Sequence, residues 1–104
     1  MKEYYDPITP GEYLVHEFLK PLNISQNKLA RDIDVPVSRI NSIIKGTRSI
    51  TADTALRFAE YFNTSATMWL NLQTGYDLRL AKRNFLDDIK SHIRPLINNQ
   101  RKSA

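Results

Sequence analysis

Apolar residues recur along this chain at spacings of three and four, the mark of helices with one buried face. Tyr13, Leu14, Phe18 and Leu19 form the first stripe, with Thr9, Pro10 and Glu12 before it and Pro21 expected to end it. Threonine followed three residues later by glutamate is a capping box, and proline suits the first helical position because its missing N–H would have no partner there. Leu29 and Ala30, then Val35, then Ile40, Ile43 and Ile44 predict two short helices over about 26–33 and 37–45 that share one seam. Ala30 is small where two helices approach, and Pro36 holds Val35 extended for a sharp entry into the second helix. Ala55, Leu56, Ala59 and Phe62 mark a fourth helix that begins after Thr51 and stops at Asn63; Met68, Trp69 and Leu72 mark a fifth, capped by Thr64 or Ser65. Gly75 predicts a kink or break before Tyr76, and Phe85, Leu86, Ile89, Ile93 and Leu96 predict a sixth, amphipathic helix disturbed or ended by Pro95. No strand signal of comparable strength and no internal repeat accompanies these stripes, so the expected fold class is all-α.

The central pair carries the most specific information. With Ile40, Ile43 and Ile44 turned inward at about 100° per residue, Ser38, Ser42 and Lys45 fall on the outer face, flanked by Arg39 and Asn41, and no large apolar group interrupts it. Two short helices joined by a tight turn, the second presenting small polar and basic groups, is the layout of a DNA-reading helix-turn-helix. Serine reaches phosphate or a base edge, asparagine pairs with adenine, arginine pairs with guanine, and lysine neutralises phosphate. Taken alone, such a face is equally an ordinary solvated one. The surroundings favour the first reading: Ser25 is placed to cap the first helix, and Gln26 and Asn27 follow in its opening turn, where free N–H groups attract a phosphate. Gly46 is placed to stop the second helix in the left-handed conformation, leaving Lys45 and Arg48 beside a backbone strand. The candidate DNA-contacting set is therefore Gln26, Asn27, Val37, Ser38, Arg39, Asn41, Ser42, Lys45 and Arg48.

Charge is permissive and unevenly distributed. Residues 25–48 hold five basic side chains against two acidic ones, a balance of +3. Over the whole chain the net charge is +4, divided as −2 over residues 1–20, +1 over 21–78 and +5 over 79–104. The basic end is able to reach DNA or an acidic partner, although charge-rich terminal helices are usually just solvated. At 104 residues with 41% hydrophobic content, one domain is expected: a core over about 9–78, a helical extension over 79–97 and a frayed tail over 98–104. No apolar run approaches a membrane span and MKEYYDPITPGEY lacks a secretory apolar segment, so a cytoplasmic location without membrane partners is expected. With no cysteine, disulfides and thiolate metal sites are excluded.

Three stretches carry a family resemblance: PGEYLVHEFLKPLNISQNKLA, GTRSITADTALRFAEYFNTSATMWLNLQ and TGYDLRLA, together covering roughly residues 10–81. The chain resembles the lambda-repressor-like (Xre-type) helix-turn-helix class and, more narrowly, the HigA family of antitoxins from toxin–antitoxin operons. TADTALR, WLNLQ and YDL are specific in combination, and Met68 stands where the family usually carries phenylalanine or a similar residue, a mild exchange of one core-filling group for another. Asp34 stands where the family generally has glycine, at a turn position expected to be left-handed; aspartate tolerates this better than most residues and worse than glycine. The resemblance implies a lambda-repressor-like five-helix domain, here with an additional C-terminal helix. It implies a homodimer on a palindromic double-stranded operator, repression of its own operon and direct neutralisation of a HigB-type toxin, a ribosome-dependent messenger-RNA endonuclease. A free-standing Xre-type repressor without a toxin partner shares every DNA feature, and a helical interaction module that has lost DNA binding remains a third reading, without salt-dependent duplex affinity.

Dimerisation also has a physical motive, because one recognition helix contacts few base pairs and a twofold dimer doubles the recognition energy. Trp69, Leu72 and Tyr76 are the candidate dimer surface, with Trp69 equally readable as plain core. The apolar stripe after residue 79 is covered either by its own domain or by a second protein. No catalytic constellation and no cofactor motif is found: His16 and His92 stand alone, and Asp87 and Asp88 point about 100° apart on a helix. The chain is expected not to be an enzyme and to hold no metal.

Overall fold

The first helix is set by its cap. Thr9 Oγ1 accepts from the Glu12 N–H at 3.0 Å while the Glu12 carboxylate accepts from the Thr9 N–H at 2.9 Å, the reciprocal box the sequence predicts. In the computed structural model, which describes residues 8–97, helix α1 is α-helical over Pro10–Leu14, widens to a π-helical turn over Val15–Leu19 and returns to α-helix over Lys20–Leu22. Pro21, expected to end the helix, is instead carried inside its last turn. The widened turn before it relieves the clash a proline ring makes with the carbonyl four residues back. Asn23, at φ 56°, then stops the helix.

Four more helices follow: α2 over Gln26–Asp32, α3 over Val37–Lys45, α4 over Ala52–Phe62 and α5 over Ala66–His92. Among the described residues there is no strand. The stops are residues in left-handed backbone, Gly46 at φ 84° after α3 and Asn63 at φ 58° after α4, and Asp34 takes φ 60° in the turn between α2 and α3. Ser25 caps α2 by accepting from the Lys28 N–H at 3.0 Å, and Ser65, not Thr64, caps α5 by accepting from Met68 N–H at 3.0 Å. The Thr64 hydroxyl instead accepts from Trp69 Nε1 at 2.8 Å.

The core lies where α1, α4 and the first third of α5 meet. Trp69 is fully buried, with Phe58 at 4.9 Å, Phe18 at 5.1 Å and Tyr13 at 6.1 Å between ring centroids. Leu14, Leu29, Ile40, Ile43 and Ala55 extend this core under the central helix pair. Gly75 does not break the chain into a fifth and a sixth helix. A mid-helix glycine costs about 1 kcal/mol but keeps its N–H and carbonyl, so α5 runs on as one rod of 27 residues and the expected extension is its second half. The helix ends at His92 with Ile93 already extended, so Ile93 and Leu96, expected in the helix, lie beyond it; Pro95 restricts Arg94, one residue further on. The tail expected over 98–104 lies outside the described residues.

Candidate nucleic-acid interface

Helix α3 has a sharply divided surface. Ile40 and Ile43 are buried and Ile44 half-buried, while Val37, Ser38 and Lys45 are exposed and Asn41 and Ser42 half-buried on the side away from the core. Ser38 is thus open to solvent and Ser42 partly so, and neither is sealed inside the monomer. Behind the helix, the turn after Gly46 is held by Thr47, whose N–H and hydroxyl both donate to the Ser42 carbonyl at 2.9 and 3.2 Å. This leaves Arg48 exposed at the end of α3. At the near end, Asn27 is exposed and Gln26 half-buried in the first turn of α2.

Polar links fix this unit from behind. Arg57 Nη1 donates to the carbonyls of Ile33 and Asp34 at 2.7 and 3.2 Å, which ties α4 to the turn between α2 and α3. Its Nε donates to Asp53 Oδ2 at 3.0 Å, and the same oxygen accepts from Arg39 Nη1 at 2.7 Å. Hydrogen bonds from Arg57 and then Arg39 hold the Asp53 carboxyl below the usual carboxylate range. On α2, Lys28 donates to Asp32 at 2.9 Å and Tyr61 donates to the same carboxylate at 2.7 Å, so Asp32 is likewise held low and the Tyr61 phenol is pushed up. The strand of chain leaving α3 is pinned by Gln73, a buried side chain whose Oε1 accepts from Ile50 N–H at 2.8 Å while its Nε2 donates to Asp77 at 3.0 Å.

The arrangement matches known proteins over most of its length. The helix-turn-helix family model (HTH_3) covers residues 15–69, from the middle of α1 to Trp69. Antitoxin HigA-1 of Vibrio cholerae is 30% identical over 94% of this chain and 91% of its own length. The solved structure of the Pseudomonas aeruginosa antitoxin HigA with the higBA promoter superposes with a TM-score of 0.84 at 43% identity, covering 88% of this chain and 99% of that one. The chain belongs to the HigA family of helix-turn-helix antitoxins. Virulence-associated protein I of Dichelobacter nodosus is also similar, 51% identical over 74% of this chain and 71% of that protein.

Within this HigA-family fold, the residues read from sequence separate into groups. Val37, Ser38, Asn41, Ser42 and Lys45 share the outer side of α3, with Asn27 and Arg48 exposed at the two ends of the unit; the face expected to be free of large apolar groups thus carries one, Val37, at its start. Arg39 joins them only in part, because its guanidinium is bound by Asp53 and its side chain is 26% exposed. Trp69 does not belong to a dimer surface: it is 0% exposed, enclosed by aromatic rings and bonded through its indole N–H, so no second chain reaches it. Leu72 and Tyr76 are half-buried. Asp53, Arg57 and Gln73 were not singled out by the sequence pattern. Asp53 and Arg57 stand four apart on one helix and were visible as a local ion pair, but their links to Arg39 and to the turn run between separate elements. Among the described residues no group of three His, Cys, Asp or Glu side chains is placed to hold a metal ion, and no helix is long and apolar enough to cross a membrane.

Proposed function

We propose that this HigA-family antitoxin binds a palindromic operator duplex as a homodimer, represses its own operon and neutralises a HigB-type messenger-RNA endonuclease by direct binding. It acts in the cytoplasm, without catalysis or cofactor. The observation that carries the DNA reading is the open outer face of α3, where Ser38 is exposed beside the half-buried Asn41 and Ser42. In this reading Gln26, Asn27 and Arg48 contact phosphates and set the register, while Ser38, Arg39, Asn41 and Ser42 meet base edges; Val37 and Lys45 border the groove. The toxin part is supported by family membership.

The dimer surface is better assigned to the outer half of α5 than to Trp69. Leu78, Phe85 and Ile89 are each about half exposed and are spaced seven and four apart, which puts them within about 40° of one line along the helix. A second copy laid along that line removes three large apolar groups from water. The test is a binding titration with the duplex upstream of the gene over a salt series, together with the molar mass in solution. Affinity that falls steeply with salt, and a dimer that Ile89→Asp dissociates, are expected. Salt-independent binding, or a wild-type monomer at operator-binding concentrations, would refute the reading.

A further inference from the structure

Arg39 is a strongly basic side chain on the body of the recognition helix, and it does not project freely. Its Nη1 donates to Asp53 Oδ2 at 2.7 Å, and Asp53 is itself fixed because Arg57 Nε donates to the same oxygen at 3.0 Å. Arg57 is anchored in turn on the Ile33 and Asp34 carbonyls of the turn that leads into α3. The guanidinium on α3 is therefore indexed, through the side chains of Asp53 and Arg57, to the backbone that sets the direction of α3. An arginine carries five donors in a rigid plane, so a guanidinium held at Nη1 keeps the rest of its donors for a base edge.

We propose that Asp53 is a specificity-determining positioning residue, which holds the Arg39 guanidinium in one orientation toward the groove and withholds its charge from indiscriminate contact with phosphate. This rests on the operator-binding reading given above. A free arginine at the groove wall is drawn to the nearest phosphate on any sequence, and each such contact releases counterions and adds sequence-blind affinity. An arginine already neutralised by a carboxylate gains little from phosphate, and its fixed plane rewards only a base whose acceptors match it. Asp53 then raises discrimination by lowering the affinity for wrong sequences.

The test compares wild type, Asp53→Asn, Arg39→Gln and the double variant on the operator duplex and on a scrambled duplex of equal length, across a salt series. Asp53→Asn is expected to tighten binding to the scrambled duplex about fivefold per bound protomer at about 0.15 M salt, and to steepen the salt slope by about 0.9. The operator gains less, so the ratio of the two affinities falls. Both changes are expected to disappear in the Arg39→Gln background, which a merely structural role for Asp53 would not produce. Should Asp53→Asn fail to fold, Asp53→Ser keeps a short polar acceptor in the first turn of α4 and gives the same readout. Equal shifts on both duplexes, or an effect that persists without Arg39, overturn the proposal. Wild type without salt-dependent duplex binding overturns the operator reading itself, and is told apart because it appears before any variant is made.

Discussion

Gly11 is where α1 touches the recognition helix, and a single methyl group there tests how that helix is held. A Cβ built on Gly11 falls 2.6 Å from the Ile44 Cα and 2.9 Å from the Ile43 carbonyl carbon, with the Ile43 oxygen nearer still. All three are backbone atoms of α3, so no side-chain rotation relieves the overlap. Restoring ordinary contact requires moving α3 by roughly 1 Å away from α1, against the buried Ile40 and Ile43. Overpacking of this kind costs about 1–3 kcal/mol, while alanine recovers up to about 1 kcal/mol of helix propensity over glycine. We expect Gly11→Ala to destabilise by about 1–2 kcal/mol and lower the Tm by roughly 5–15 °C. Gly75→Ala is the internal control: outside the backbone of its own helix no heavy atom lies within 4 Å of a Cβ there, the site is mid-helix, and about 1 kcal/mol of stabilisation is expected. The assay is thermal melting by circular dichroism at matched protein concentration, since a dimer makes Tm concentration-dependent. A Gly11→Ala protein that melts at or above wild type would refute the claim that α1 and α3 are in backbone contact.

The other expectations are narrower. Asp34 holds φ 60°, so Asp34→Gly should stabilise the fold by up to about 1 kcal/mol, and destabilisation in the same melting assay would contradict the left-handed assignment. Asp32 and Asp53 are held below their ordinary carboxyl value by Lys28 and Arg57 first and by Tyr61 and Arg39 second. Depressed folded values mean that the stabilisation is present above the ordinary value of 3.8 and is lost as pH falls through the lower folded values; Tm measured against pH should drop there, and less so in Asp53→Asn. Asn41→Ala should cost about 1–3 kcal/mol of operator binding and relax base preference at one position, whereas Arg48→Ala should weaken binding to every sequence and reduce the salt slope by about one. Titration over operator variants separates these two, and an unchanged base preference in Asn41→Ala removes that residue from the reading face.

What the sequence discloses is the inner face of most helices; in α4 the expected stripe is off, because Leu56 is 60% exposed while Phe58, which that stripe did not include, is fully buried. The stripes at Leu14, Leu29, Ile40, Ile43 and Trp69 are all buried, and three chain reversals fall at Asp34, Gly46 and Asn63 as read, because burial and backbone handedness act locally. The sequence did not disclose partners across elements. Arg39 and Asp53 lie 14 positions apart, Gln73 and Ile50 lie 23 apart, and the near-contact of Gly11 with α3 depends on how two helices cross. No spacing rule encodes such pairs. Two local signals were misleading for separate reasons: Gly75 costs a helix only about 1 kcal/mol and keeps both of its backbone groups, and Pro21 follows a π-helical turn that makes room for its ring.

The continuity of α5 changes what its outer half does. Had the chain bent at Gly75, the apolar line of Leu78, Phe85 and Ile89 would be attached to the domain by a hinge, and a partner bound there would leave α3 free to wander. As one rod, α5 is seated through Trp69 in the core and through Gln73 on the Ile50 amide, a few residues beyond the end of α3. Each residue of rise is about 1.5 Å, so Ile89 stands roughly 30 Å along the rod from Trp69, in a direction fixed by those two anchors. In the proposed dimer, two copies joined along such rods would hold their recognition helices at one separation and one angle. A dimer with that property accepts half-sites at a single spacing and rejects the same half-sites moved apart, which is the geometric selectivity that a palindromic operator demands. In the proposed complex, spacing selectivity and base reading would therefore rest on different parts of the chain: the first on the two anchors of α5, the second on the outer face of α3 and on the carboxylate that holds Arg39.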